Sequence, residues 1–219
     1  MQSIVSNDLT LLRESLAARL ADTAGLSPLQ EDWIIVPNRD TGRWLQTHLV
    51  AALGGLANTR FLTLGQALSE LSRTDHSSNF FEVAFWAIAK YWQLAHPQLA
   101  AADAVPQIVL LTELFERYLT DRPDWLARWE REQTVQLLGP HWQATLWREV
   151  IQTLPHQPHH RLLELANGTD APELQTVGRV FVFAPDRLSE VALQILKQIS
   201  QHRPVGLWLM SPSPEGWFL

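Results

Sequence analysis

The stretch Pro155–His160, PHQPHH, concentrates three of the chain's 8 histidines, His156, His159 and His160. Imidazoles packed this densely are potential ligands for a divalent metal ion, which requires three or four converging donors. No carboxylate or further histidine stands at a supporting helical spacing, so the stretch is expected to be a surface loop. The chain has no cysteine, which excludes disulfides, thiolate metal sites and a cysteine nucleophile. A GxSxG nucleophile elbow is also missing. These residues therefore offer no catalytic constellation.

Phosphoryl transfer fares no better. A phosphate-binding loop needs glycines whose neighbouring N–H groups can cradle phosphate, a lysine for the terminal phosphates and a hydroxyl for magnesium. The first strand–turn–helix, SIVSNDLTLLRESL from Ser3 to Leu16, has neither glycine nor lysine; Thr10 and Arg13 are the nearest substitutes. An acidic magnesium ligand belongs at the end of a later strand. Asp186 lies three residues past such a strand and is expected to cap a helix instead.

Binding chemistry is better represented. The segment WIIVPNRDTGRWLQTHL, Trp33 to Leu49, reads as a strand, a turn and an amphipathic helix, and ligands gather at the carboxyl ends of strands in open α/β sheets. Cationic side chains comprise 15 Arg and only 2 Lys. Arginine suits bidentate phosphate contacts and stacking on flat rings, although a genomic bias towards arginine codons would leave the same trace. The formal charge of −6 argues against field-driven attraction to DNA or membrane, but leaves room for a local arginine-lined groove. The 10 tryptophans are expected mostly in cores or interfaces, with a few available to stack on bases.

The elements that must position these residues follow from periodicity. Ser3–Val5 is a strand candidate, followed by a helix capped by Asn7 or Asp8 with Leu9, Leu12, Leu16 and Leu20 on one side. Gly25–Asp32 is a loop, Trp33–Val36 a strand, and the next helix takes Asp40 as cap and stops at Gly54–Gly55. Phe61–Leu64 is extended and leads to a helix near Gly65–Leu71. After the polar break Thr74–Asn79 the pattern is helical for roughly ninety residues. It comprises Phe80–Leu94, a helix opened by Pro106, one with Pro123 in its first turn, and one near Trp142–Leu154. Strand, helix and strand return at Arg179–Phe183, Leu188–Ser200 and Val205–Met210. Alternating strands and helices imply a parallel α/β sheet, here interrupted by an all-helical insertion. The expected parts are residues 1–73, 74–169 and 170–219. With 46% hydrophobic residues, no long apolar run and no signal-like start, no membrane span is expected and a cytoplasmic protein is. The apolar ending SPSPEGWFL suggests a piece of a longer chain.

Several blocks in order along the chain resemble the RecC family, the gamma subunits of bacterial exodeoxyribonuclease V (RecBCD). The sharpest is YLTDRPDWLARWE, Tyr118–Glu130; others are WLQ at Trp44–Gln46, QATLWREV around Trp147, RVFVFAPDRLSEVALQIL from Arg179, and SPSPEGW from Ser211. The resemblance implies a RecA-like fold, a degenerate P-loop helicase sheet with a helical insertion, that has lost its ATPase motifs. It implies a domain that holds single-stranded DNA in a channel during double-strand-break repair, in a complex that scans for the recombination signal Chi. It also implies RecB and RecD as partner subunits, with ATP and magnesium expected only on those partners.

In such a domain the turn after the second strand meets the nucleic-acid backbone, which carries Pro37, Asn38, Arg39 and Arg43 over as DNA-facing residues. Thr63, Glu113, Leu114, Glu116, Arg122 and Arg161 carry over as further DNA-facing positions. The family's glutamines flanking the turn are here Pro37 and Arg43, and Thr63 replaces an apolar residue; since amides read base edges and arginine chiefly reads guanine or phosphate, recognition of the same Chi sequence does not follow. Two alternatives stay open: an active ATP-dependent subunit of the related AddB type, and a scaffold whose tryptophan-rich helices dock partners without touching DNA.

Overall fold

A computed structural model describes residues 1–22, 30–72, 80–97, 101–131, 141–154, 157–168 and 177–212. The chain divides into two compact units, one formed by residues 1–67, 168–188 and 193–219 and the other by residues 68–167 with 189–192.

The first unit is built on a five-stranded sheet in the order β1-β5-β4-β2-β3, with every neighbouring pair parallel. Its strands are β1 (Gln2–Ser6), β2 (Glu31–Val36), β3 (Thr59–Thr63), β4 (Val177–Phe183) and β5 (Val205–Met210). The helices α1 (Leu9–Ala21) and α2 (Arg39–Leu53) follow β1 and β2, α3 (Leu64–Ser72) follows β3, and α9 (Glu190–Ile199) follows β4. β4 is buried along all seven residues, as expected of an inner strand of a parallel sheet. One core joins Leu12, Leu16 and Leu20 of α1 and Leu45 and Leu49 of α2 to Ile34, Phe181, Phe183 and Trp208 of the sheet. Each fully buried side chain of this kind contributes about 1.5–3 kcal/mol relative to exposure. The fold is thus α/β and RecA-like.

In the second unit, every regular element among the described residues is a helix: α4 (Phe80–Ala95), α5 (Ala101–Asp121), α6 (Pro123–Glu130), α7 (His141–Ile151) and α8 (Pro158–Ala166), with the end of α3 and the start of α9. Its core centres on Phe115 and Trp147, whose rings lie 5.5 Å apart, with Ile88, Leu126, Leu146 and Val150 around them. Among the described residues no helix is long and apolar enough to cross a membrane.

Local expectations were met at the two glycine and proline signals. Gly54 ends α2 with φ +75°, the left-handed conformation that glycine adopts without strain. Pro123 stands in the first turn of α6. Five expectations need correction. Asp32 lies in β2, because Glu31 and Asp32 pair with β4 and β3 respectively. The cap of α2 is Asn38, whose extended backbone lets Oδ1 accept from Thr41 N at 2.8 Å; Asp40 is already in the helix. Pro106 lies inside α5, since the preceding alanines favour helix and Ala104 is buried. Pro158, His159 and His160 form the first turn of α8 instead of a loop, with proline where an N–H has no partner anyway; Pro155 and His156 lie outside the described residues. Asp186 is exposed and caps nothing; Ser189 Oγ accepts from Ala192 N at 3.2 Å and starts α9. The polar break at Thr74–Asn79 and most of the SPSPEGW block also lie outside the described residues.

Candidate nucleic-acid interface

In the first unit the sequence-derived residues converge on the carboxyl edge of β2 and β3. Val36 and Thr63 are register partners at that edge, so Pro37, Asn38 and Arg39 emerge beside Thr63. α2 is held close to the sheet: a Cβ on the buried Gly42 would lie 3.3 Å from Val36 Cγ2 and 3.7 Å from Phe61 Cβ. Arg39 opens the helix and Arg43 follows four residues later, which places both on one face. Both are exposed, and neither guanidinium forms an ion pair with a described residue, whereas Arg13, Arg19, Arg60, Arg122, Arg161 and Arg179 all engage carboxylates. Two uncommitted guanidinium groups beside a helix N-terminus form an arrangement suited to phosphate. Asp40, exposed in the same first turn, offsets part of that positive field.

Asn38 and Thr63 also carry local structural duties. Asn38 Oδ1 is occupied by the α2 cap, although the residue itself is exposed. Thr63 and Gln66 form a reciprocal capping box: Thr63 N donates to Gln66 Oε1 at 2.9 Å, and Gln66 N donates to Thr63 Oγ1 at 3.3 Å. The pattern TLGQ was the readable signal for that role.

At the β1–α1 turn, where a phosphate loop would stand, only Asn7 and Asp8 separate strand from helix. Asp8 Oδ1 accepts from Thr10 N at 2.7 Å. A carboxylate therefore occupies the helix N-terminus that a nucleotide phosphate would need.

In the second unit, Glu113, Leu114 and Glu116 lie on α5, with Glu113 exposed and the other two half-buried. Burial, reinforced by the neighbouring Glu113 charge, raises the pKa of Glu116 above the ordinary carboxylate value. Arg122, just past α5, forks onto Asp124 with Nε–Oδ1 and Nη2–Oδ2 distances of 2.9 and 2.7 Å, and stacks 3.9 Å over the Trp125 ring. That pairing holds Asp124 below its usual carboxylate range, and any phosphate contact by Arg122 competes with it. Arg161, on α8, reaches Glu164 at 3.2 Å. Of the tryptophans, Trp33, Trp129, Trp147 and Trp208 are buried, while Trp86 is 71% exposed and Trp142 is also exposed.

The sequence reading missed two constellations. Arg179 and Asp32 form a buried ion pair between β4 and β2. In the helical unit, His159 Nε2 and His160 Nε2 both lie against Glu130 Oε2, at 3.1 and 2.5 Å. His159 is fully buried, and burial is the main cause that lowers its pKa to about 4. Burial acts to raise the pKa of Glu130, but the hydrogen bonds from the two histidines prevail and hold it below the usual value. The carboxylate sits on another helix 29 and 30 residues away, a spacing that carries no sequence signal.

A family model described as RecC, N-terminal domain, matches residues 1–219. The chain is similar to the RecBCD enzyme subunit RecC of Haemophilus influenzae, with 23% identity over 262 residues, covering 97% of this chain and 23% of that protein. It is similar to the subunit of the same name from Escherichia coli (strain K12), with 27% identity over 224 residues, covering 87% and 20%. The corresponding subunit of Mycobacterium tuberculosis gives 28% identity over 244 residues, covering 94% and 22%. The chain spans about a fifth of the length of these relatives. With a parallel α/β sheet, a helical unit and a family match along its whole length, the chain belongs to the RecC N-terminal domain family.

Proposed function

We propose that this chain is a helicase-like domain that binds single-stranded DNA without using ATP, as part of a RecC subunit acting with RecB and RecD in double-strand-break repair. The observation that carries this reading is the Arg39–Arg43 pair, exposed and without a carboxylate partner among the described residues at the carboxyl edge of β2. Binding rests on such local contacts because the net charge of −6 gives no long-range attraction. The Asp8 cap and the short β1–α1 turn support the absence of nucleotide chemistry and disfavour the AddB-type alternative. Calorimetry with magnesium–ATP tests that part, and micromolar affinity would refute it.

The DNA-facing assignment is tested by the salt dependence of single-strand binding. Each lost phosphate contact lowers the slope of log affinity against log salt by about 0.7 for a single strand. Arg39→Ala with Arg43→Ala is expected to flatten the slope by about one unit or slightly more. Arg19→Ala, a surface pair with Asp22 at the other end of α1, is the control and leaves the slope unchanged. A folded double variant that binds like wild type would favour the scaffold reading. That second reading draws on the helical unit, where Trp86, Leu94 and Leu110 expose large apolar side chains. Loss of RecB association on Trp86→Asp with Leu94→Asp, with DNA binding retained, would support it.

A further inference from the structure

The geometry points to a transition-metal site in the helical unit, formed by Glu130, His159 and His160, that takes a zinc-class divalent ion and ties α6 to α8. Glu130 is the last residue of α6, and the two histidines occupy the first turn of α8. One ligand atom from each of the three side chains lies within 4.8 Å of the others. Both imidazole Nε2 atoms are directed at the same carboxylate oxygen, and the two rings are 4.3 Å apart. Adjacent helix residues ordinarily diverge by about a quarter turn. Here Pro158 starts the helix beneath them, and His159 is locked in the core edge-on against Trp147 at 5.2 Å.

The donor set decides the ion. Two imidazoles and one carboxylate suit zinc, nickel or copper; magnesium and calcium prefer all-oxygen shells. In the metal-free arrangement each ring places Nε2 against Glu130 Oε2, and a bound ion takes the place of those two contacts, with each ring then carrying its proton on Nδ1. The incoming ion has a route, since His160 and Glu130 are only partly buried. Gln157 Nε2, 3.3 Å from Glu130 Oε1, steadies the second carboxylate oxygen.

The affinity is expected to be micromolar and not tighter, because the buried Nδ1 of His159 has no hydrogen-bond partner among the described residues. Ligating histidines normally donate that N–H, and loss of such a partner weakens binding by about 10–100-fold. The bound ion would join segments 29 residues apart in the chain and stabilise the helical unit by binding only its folded form.

The test uses the 219-residue chain without a histidine tag and zinc ion alone as probe. Calorimetry is expected to show saturable binding of one zinc per chain, no magnesium binding at this site, and a higher thermal midpoint with zinc. Glu130→Gln and His160→Ala are each expected to weaken zinc binding by about tenfold or more, by analogy with the cost of losing even an outer partner. His202→Ala, an exposed histidine near β5, leaves it unchanged. Histidine ring ¹⁵N spectra of the wild type provide a readout that needs no variant. On adding zinc, His159 and His160 should pass from Nε2-protonated rings to Nδ1-protonated rings with metal on Nε2. Absence of one-to-one zinc uptake, ring signals that do not respond, or full affinity in both folded variants would overturn the proposal.

Discussion

Arg179 of β4 and Asp32 of β2 form a buried ion pair across neighbouring strands, with Nη2 2.6 Å and Nε 3.1 Å from Oδ2. The same guanidinium donates to the carbonyls of Arg19 and Asp22 at 3.0 and 2.7 Å, closing the C-terminal end of α1. One side chain of β4 thus ties down a strand and a helix terminus that lie 147 to 160 residues earlier in the sequence. Removing one member of a buried pair leaves an uncompensated charge, which costs about 3–5 kcal/mol. Arg179→Met is therefore expected to lower the unfolding free energy by about that amount in urea denaturation. A loss below about 1 kcal/mol would mean that solvent reaches Asp32 once the arginine is gone.

Asp40 opposes the anion-binding character of the α2 N-terminus. Asp40→Asn is expected to strengthen single-strand binding at low salt while weakening α2 by about 0.3–1 kcal/mol, because the acid favours the helix dipole. Fluorescence anisotropy and thermal denaturation on the same preparation check both signs. Unchanged affinity would place the DNA away from this turn.

Glu116 provides a pH prediction. Its folded pKa is raised by burial and by Glu113, so the folded state holds a proton that the unfolded chain releases. Stability then falls as pH rises from the unfolded value through the raised folded one, and the cost persists above it. Glu116→Gln is expected to be more stable than wild type near pH 7, with the difference vanishing in acid below the ordinary glutamate range. Chemical denaturation at the two pH values decides it, and a pH-independent difference would count against the titration of Glu116 as its cause.

Gly178 marks a close approach of β4 and β2. A Cβ there would lie 2.9 Å from the Glu31 carbonyl oxygen and 3.0 Å from Asp32 Oδ1. Gly178→Ala must push backbone aside and is expected to cost about 1–3 kcal/mol, as overpacking does. Serine at the same position should cost at least as much. Denaturation midpoints that match wild type would show that the strands part without penalty.

Much of the candidate interface was legible in the sequence because its determinants are local. The apolar run ending at Pro37, the turn, and the periodic helix after it place Arg39 and Arg43 within a few residues of a strand end. The capping roles of Asn38 and Thr63 are equally local, and the TLGQ signature marks the second of them. The engagement of Arg122 by Asp124 and Trp125 is likewise a matter of two or three residues.

By itself, then, the sequence determined the alternation of strands and helices, the helical character between α3 and β4, and the lack of a glycine–lysine phosphate loop. Periodicity, caps and turn residues act over a few positions, so they survive without knowledge of the fold. Only the tertiary structure decided the strand order β1-β5-β4-β2-β3, the burial of Arg179 on Asp32, and the meeting of Glu130 with His159 and His160. Those relationships depend on which distant segments pack together. Hydrogen bonding and desolvation are strong only after that packing excludes water, and the spacing of residues along the chain holds no record of it.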